Sequence, residues 1–275
     1  MAAPLPVLGL VADAYATVSA NLPMLQRLGR GPFVVALVLG LVFGAMTPHA
    51  WAPVAALAMV VAYAWFAFHV MRLVLLGPQR ALLPAAPDQG EDGPLIPRSN
   101  LGTFMLRALG LAVLMALAVA AIVLVLVYPL LVLPMAAGQG APAPPAGSVT
   151  GGLLLSVGLA ALSAGIPVAR LATVLPMTAI DRDTTMAAAW RLARGHGLRL
   201  ALALAVIAAP FVLGYAALDA TLAMLAAMTD DGDPGLVVHV MALGLATAMA
   251  MTATALGSVA IARVWTVMQG ACHPT

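Results

Sequence analysis

All twelve basic residues of this chain are arginines, and they occupy only every second connection between its apolar blocks. The blocks cover about 31–48, 52–76, 106–133, 152–175, 200–226 and 236–262. A helix of about 20 apolar residues matches the roughly 30 Å of hydrocarbon in a bilayer. Arg27 and Arg30 precede the first block. Arg72, Arg80, Arg98 and Arg107 mark the passage from the second to the third, and Arg170, Arg182, Arg191, Arg194 and Arg199 that from the fourth to the fifth. Arg263 follows the sixth. The turn Thr47–Trp51, the loop Met135–Thr150 and the loop Thr229–Pro234 hold no basic residue, and the last carries Asp230, Asp231 and Asp233. Cytoplasmic loops collect Arg and Lys, whereas translocated loops lack them. The pattern therefore predicts an all-α integral membrane protein with six transmembrane helices and both termini cytoplasmic.

Composition agrees. Hydrophobic residues make up 63% of the chain and charged ones 8%, against about a quarter charged in soluble domains, and the mean hydropathy is +1.06. The pI of 9.1 follows from arginine retained on one side of a membrane, so nucleic acid is not an expected partner. Cys272 stands alone, which leaves no intramolecular disulfide framework and no cysteine-based metal site. Met1–Pro6 lacks a basic n-region, so the first span is expected to serve as a signal anchor rather than a cleaved signal peptide. The absence of lysine beside abundant Ala and Arg points, by association, to a bacterial cell inner membrane.

The segment 1–30 reads as an interfacial element. Val11, Tyr15, Val18, Leu22 and Leu25 form one apolar face, with Asp13, Thr17 and Asn21 off it, the pattern of an amphipathic helix lying on the membrane. A seventh span over Pro4–Leu25 also satisfies the arginine rule, although Asp13, Asn21 and Pro23 weigh against it. The outer stretch Gly138–Gly147 and the inner stretch Gly77–Asn100 read as irregular connectors, neither long enough for a soluble catalytic domain.

Short sequences recur at the helix ends. Val168-Ala-Arg-Leu-Ala-Thr-Val-Leu-Pro176 matches Ile261-Ala-Arg-Val-Trp-Thr-Val-Met-Gln269, and Arg72 to Pro78 repeats the spacing of Arg170 to Pro176. Leu106-Arg107 and Leu198-Arg199 open the third and fifth blocks alike. The expected layout is three in–out–in helical hairpins, 31–76, 106–175 and 200–262, with Arg72, Arg170 and Arg263 as equivalent exit residues.

The best-defined stretch runs from Arg170-Leu-Ala-Thr-Val-Leu-Pro176 through Asp181 and Asp183 to Ala187-Ala-Ala-Trp190-Arg-Leu192-Ala-Arg-Gly195. It resembles uncharacterised bacterial inner-membrane proteins of the YciC-like type, related to the membrane domain attached to some glycerophosphodiester phosphodiesterases. That family shows an R-L-x-x-x-x-P helix end, an acidic residue, and an A-x-x-S-W-x-L-x-x-G segment. Arg72-Leu-Val-Leu-Leu-Gly77 matches a further motif of a proteobacterial subgroup. Met186 and Ala189 depart from the family's Ala and Ser. The resemblance extends from about Ala14 to Gln269 and implies the six-helix architecture. It implies no phosphodiesterase activity, because that chemistry belongs to a soluble domain this chain lacks.

Read from the residues alone, Pro176 should stop the fourth helix, and Asp183 should cap a short helix from Thr184. Met186, Ala189, Trp190 and Ala193 should share one face of it, and Gly195 and Gly197 should end it. Trp190 suits the headgroup level, and Arg191 and Arg194 can reach lipid phosphates. Arg170, Trp190, Arg191, Arg194 and Arg199 are thus candidate contacts for anionic lipid headgroups or a protein partner, set against a simpler role as topology anchor and elbow.

Polar groups inside spans are few. Asp219 and His239 are the candidate intramembrane pair, although Asp219 falls about 30 Å beyond Arg199, at the outer interface. His69, one turn before Arg72, is expected at the inner interface. Pro167 and Pro210 mark possible kinks of the kind transporters use. Ala36, Gly40 and Gly44, and Ala250, Thr254 and Ser258, form small-residue ridges for close packing within the chain or in a homo-oligomer. No metalloprotease, phosphate-loop, nucleophile-elbow or Cys/His motif is present. The expected function is a non-enzymatic membrane component without cofactor or metal, serving envelope homeostasis or a partner complex. The alternative is a transporter or lipid-handling protein with a cavity near Pro167, Pro210 and Asp219.

Overall fold

The computed structural model of the chain describes residues 6–45, 52–78, 101–122, 165–180, 185–229 and 235–272. These residues form α1 (Val7–Ala20), α2 (Leu22–Ala45), α3 (Ala52–Leu76), α4 (Leu101–Ile122), α5 (Gly165–Ala179), α6 (Met186–Leu192), α7 (Gly197–Ala227) and α8 (Leu236–Cys272). Among the described residues, five helices (α2, α3, α4, α7 and α8) are long and apolar enough to cross a membrane. The fourth expected block lies largely outside the described residues, since only 165–175 of 152–175 is covered. Arg80, Arg98, Arg182, Asp181 and Asp183 also lie outside them.

Several boundaries move. The segment 1–30 is not a single interfacial unit: α1 ends at Asn21, whose backbone N–H and side-chain amide both donate to Thr17 O, and Leu22–Arg30 belongs to α2. The apolar face expected across that break is therefore not continuous. Within α1 the buried stripe is Leu10, Ala14 and Val18, whereas Tyr15 of α1 and Leu22 at the start of α2 are exposed. The phase slips because residues on either side of Asn21 sit on different helices. With 14 residues, α1 is about 21 Å long, short of a bilayer's hydrocarbon thickness.

Pro176 does not stop α5. The irregular residue is Thr173, and Pro176 sits in the first turn of the continuing segment Val174–Ala179, where a missing N–H costs no helical bond.

Helices α3 and α8 are central. α3 packs against α2, α4, α5 and α8, while α8 packs against α1, α2, α3 and α7. Apolar residues on every side of α3 suit that position: Ala64, Phe66, Phe68, Val70, Met71 and Leu73 are all buried. Where α2 crosses α8, a Cβ at Gly40 would lie 2.7 Å from Leu243 Cδ1, and Ala36 one turn earlier is fully buried. Between apolar helices in lipid there is little hydrophobic gain, so small residues that let helices approach supply the packing. This small-residue ridge of α2 is used within the chain.

The core is concentrated at one end of the bundle, where α2 and α7 begin and α3 and α8 end. Met71, Leu200, Ile207, Leu256, Val259 and Val264 are buried there. Towards the far end the same helices expose Val38, Leu57, Val212, Leu213, Met224 and Met241. α8 has 37 residues and α7 has 31, about 55 and 46 Å, both longer than the roughly 30 Å of hydrocarbon. The packed end also gathers the short helices α1 and α5 against these long ones, and it is the end that carries the arginines.

Candidate functional site at the arginine end

The nine arginines among the described residues divide by how they are held. Arg72 is 3% exposed, with its guanidinium carbon 5.4 Å from the centre of the Phe68 ring. Phe68 in turn meets Phe104 of α4 edge to face at 5.1 Å. Arg107 of α4 donates from Nη1 to Thr178 Oγ1 on α5, and Thr178 donates onward to Val174 O. Arg263 Nε lies 3.0 Å from Asp13 Oδ2, fastening α8 to α1. Asp13 and Thr17, the polar residues of α1 expected off its apolar face, face this arginine, with Thr17 Oγ1 3.4 Å from Arg263 Nη2.

Arg170 anchors the elbow between α5 and α7. Its guanidinium carbon stands 5.1 Å from the centre of the Trp190 ring on α6, a cation–π arrangement worth about 0.5–2 kcal/mol according to its exposure. α6 can lie this close because Ala189 and Ala193 are buried and small. Thr173 Oγ1 donates to Arg170 O at 2.7 Å. After α6 the chain reverses at Gly195, whose φ of +88° favours glycine. Gly197 then opens α7 directly beneath Arg170: a Cβ there would lie 2.5 Å from both Arg170 Cγ and Nε.

The cap of α6 differs from expectation. Thr185 is the N-cap, with Oγ1 accepting from Ala188 N–H at 3.2 Å, and α6 begins at Met186. Thr185 therefore does what Asp183 was expected to do, because the extended residue stands immediately before Met186. Of the four residues expected on one face, Ala189 and Ala193 are buried and Trp190 is half-buried, while Met186 is exposed.

The elbow leaves Arg191 and Arg194 exposed and Arg199 half-buried. The only carboxylates among the described residues are Asp13, paired with Arg263, and Asp219, far along α7. Among the described residues, the arginine end therefore carries more positive than negative charge. Beside Arg263, a cavity of about 180 Å³ is lined by Thr17, Asn21, Val70 and Pro78 among others. A larger groove of about 480 Å³ opens between α1, α2, α3 and α8. Neither is lined by Pro167, Pro210 or Asp219, so neither is the cavity expected near those residues.

Asp219 and His239 are both exposed, and His239 Nδ1 lies 3.1 Å from Gly235 O. Their helices do touch nearby, where Tyr215 Oη donates to Ala246 O at 2.6 Å. His69 is half-buried, with Nδ1 2.9 Å from Trp65 O and its ring 4.3 Å from that of Trp65. Pro210 lies within α7, which continues through it. Among the described residues no three His, Cys, Asp or Glu side chains gather as a metal site would require.

Comparison with protein-family models, with curated proteins and with solved structures finds no match to this chain.

Proposed function

We propose that this chain is a non-enzymatic, polytopic protein of the bacterial inner membrane. It would cross six times as three in–out–in hairpins, with both termini cytoplasmic, and its arginine end would be the cytoplasmic face. The resemblance to the YciC-like inner-membrane proteins belongs to the same proposal. At that face the elbow engages anionic lipid headgroups, and through them supports the membrane or a complex assembled on it. The observation that carries this reading is the elbow itself. Arg170 is spent on Trp190, while Arg191 and Arg194 stand exposed on the next turn of chain with no carboxylate beside them among the described residues. A cytoplasmic leaflet rich in anionic lipid attracts each such arginine by about 1 kcal/mol.

The test is the joint variant Arg191→Ala/Arg194→Ala, purified in a mild detergent and compared with wild type for retained phosphatidylglycerol and for co-purifying protein. Reduced retention of either supports the elbow as a contact surface. Unchanged retention of both removes it.

A second reading, a lipid-handling protein, is favoured by one observation, the groove between α1, α2, α3 and α8.

A further inference from the structure

That groove is built differently from the elbow. At its base Gly29 faces Phe66 and Met251: a Cβ on Gly29 would stand 3.3 Å from a carbon of each side chain. Leu25, Phe33 and Ala255 continue an apolar lining, and the charge lies in Arg30 alone. The volume of about 480 Å³ lies within the range of sites that enclose small ligands.

Along α2 the arginine is flanked by apolar lining on both sides, Leu22 and Leu25 before it and Phe33 after it. Side chains on a helix tilt back towards its N-terminus, and α2 begins at the arginine end. Arg30 stands in the third turn of α2, from which a cationic side chain can reach towards that end. It is exposed, and no carboxylate among the described residues pairs with it. An apolar groove with one such arginine on its wall complements an anionic headgroup that carries a hydrocarbon chain.

We propose that the groove holds one acyl chain of an anionic phospholipid, with Arg30 pairing its phosphate. This rests on the orientation proposed above but uses none of the elbow residues. A lipid held here would touch α1, α2, α3 and α8 together, and so would be a resident of the fold rather than part of the surrounding bilayer.

Native mass spectrometry of the full chain, with added phosphatidylglycerol or phosphatidylcholine of identical acyl chains, tests it. Wild type should retain the anionic lipid about fivefold better, the effect of one surface arginine. Arg30→Gln, at an exposed position, should abolish that preference while chain binding persists. Thr252→Trp, which fills the groove from its exposed wall, should reduce retention of both lipids; Ala248→Leu serves the same purpose if the tryptophan variant does not fold. Unchanged preference in Arg30→Gln, or unchanged retention in a folded groove-filling variant, overturns the proposal. So does a dimer that the groove-filling variants dissociate, since the occupant would then be a second copy. The Arg191→Ala/Arg194→Ala variant should keep this lipid. If it loses the lipid while Arg30→Gln keeps the preference, the elbow reading stands and the groove proposal fails.

Discussion

Asp13 and Arg263 meet at 3.0 Å and thereby join the first helix of the chain to the last. Both side chains are nearly half exposed, at 48% and 42%, so the pair should contribute no more than about 1 kcal/mol. Its importance is positional, because α1 is too short to hold itself in a bilayer by spanning it. Asp13→Asn should lower thermal stability in detergent slightly and increase hydrogen exchange in Val7–Ala20. The difference should shrink in high salt, which screens exposed charges. A double-mutant cycle with Arg263→Gln would measure the coupling. Additive effects of the two substitutions would show that the pair does not hold α1.

Gly197 is required by Arg170. At the start of a helix, Gly→Ala ordinarily stabilises by up to about 1 kcal/mol. Here the new methyl would fall 2.5 Å from Arg170 Cγ, close to the root of a side chain whose far end rests on Trp190. Relief would require Arg170 to leave the ring. Gly197→Ala should therefore destabilise by about 1–3 kcal/mol, as overpacking does, and should alter Trp190 fluorescence. In an Arg170→Ala background the same substitution should become neutral or stabilising. A Gly197→Ala protein as stable as wild type would show that the contact is not tight.

How much of this was legible in the sequence depends on the kind of interaction. Apolar block length is a one-dimensional property, so α3 was placed over 52–76 and α7 within a few residues of its observed limits. Arg72, Arg107, Arg170, Arg199 and Arg263 were legible as residues of one end. What each arginine touches was not, because Phe68, Thr178, Trp190 and Asp13 are brought to them by packing between helices. One signal was available: Asp13 is the only carboxylate before Asp88, and a lone acid beside an excess of arginine invites a partner. Its place off the apolar face of an amphipathic helix does not say which arginine that partner is. The groove was equally hidden, since its lining comes from α1, α2, α3 and α8, far apart in the chain.

Two glycines of α2 should respond oppositely to substitution. Gly31 has nothing within 4 Å of an added Cβ, so Gly31→Ala should be neutral or stabilise by up to about 1 kcal/mol through helix propensity. Gly40 lies against Leu243, with 2.7 and 2.8 Å from a new Cβ to its two methyl carbons. Gly40→Val should therefore push α2 from α8 and lower the melting temperature. Cysteine cross-linking between the two helices would follow their separation. A similar response of both sites would mean that small residues in α2 serve propensity rather than close packing.

Thr185 controls whether the elbow presents its arginines in a fixed direction. α6 has only seven residues, too few for a helix to persist without tertiary support, and its first turn is held by the Thr185 hydroxyl on Ala188 N–H. Thr185→Ala removes that acceptor and should cost about 1 kcal/mol, while Thr185→Ser or Thr185→Asp should retain it. The loss should appear as faster amide exchange over Met186–Leu192, leaving α7 protected, because α7 has its own contacts with α8. Trp190 would then spend less time against Arg170, and its emission should shift to longer wavelength as water reaches the ring. If Thr185→Ala left both exchange and emission unchanged, burial of Ala189 and Ala193 would be sufficient to hold the elbow, and the cap would be incidental.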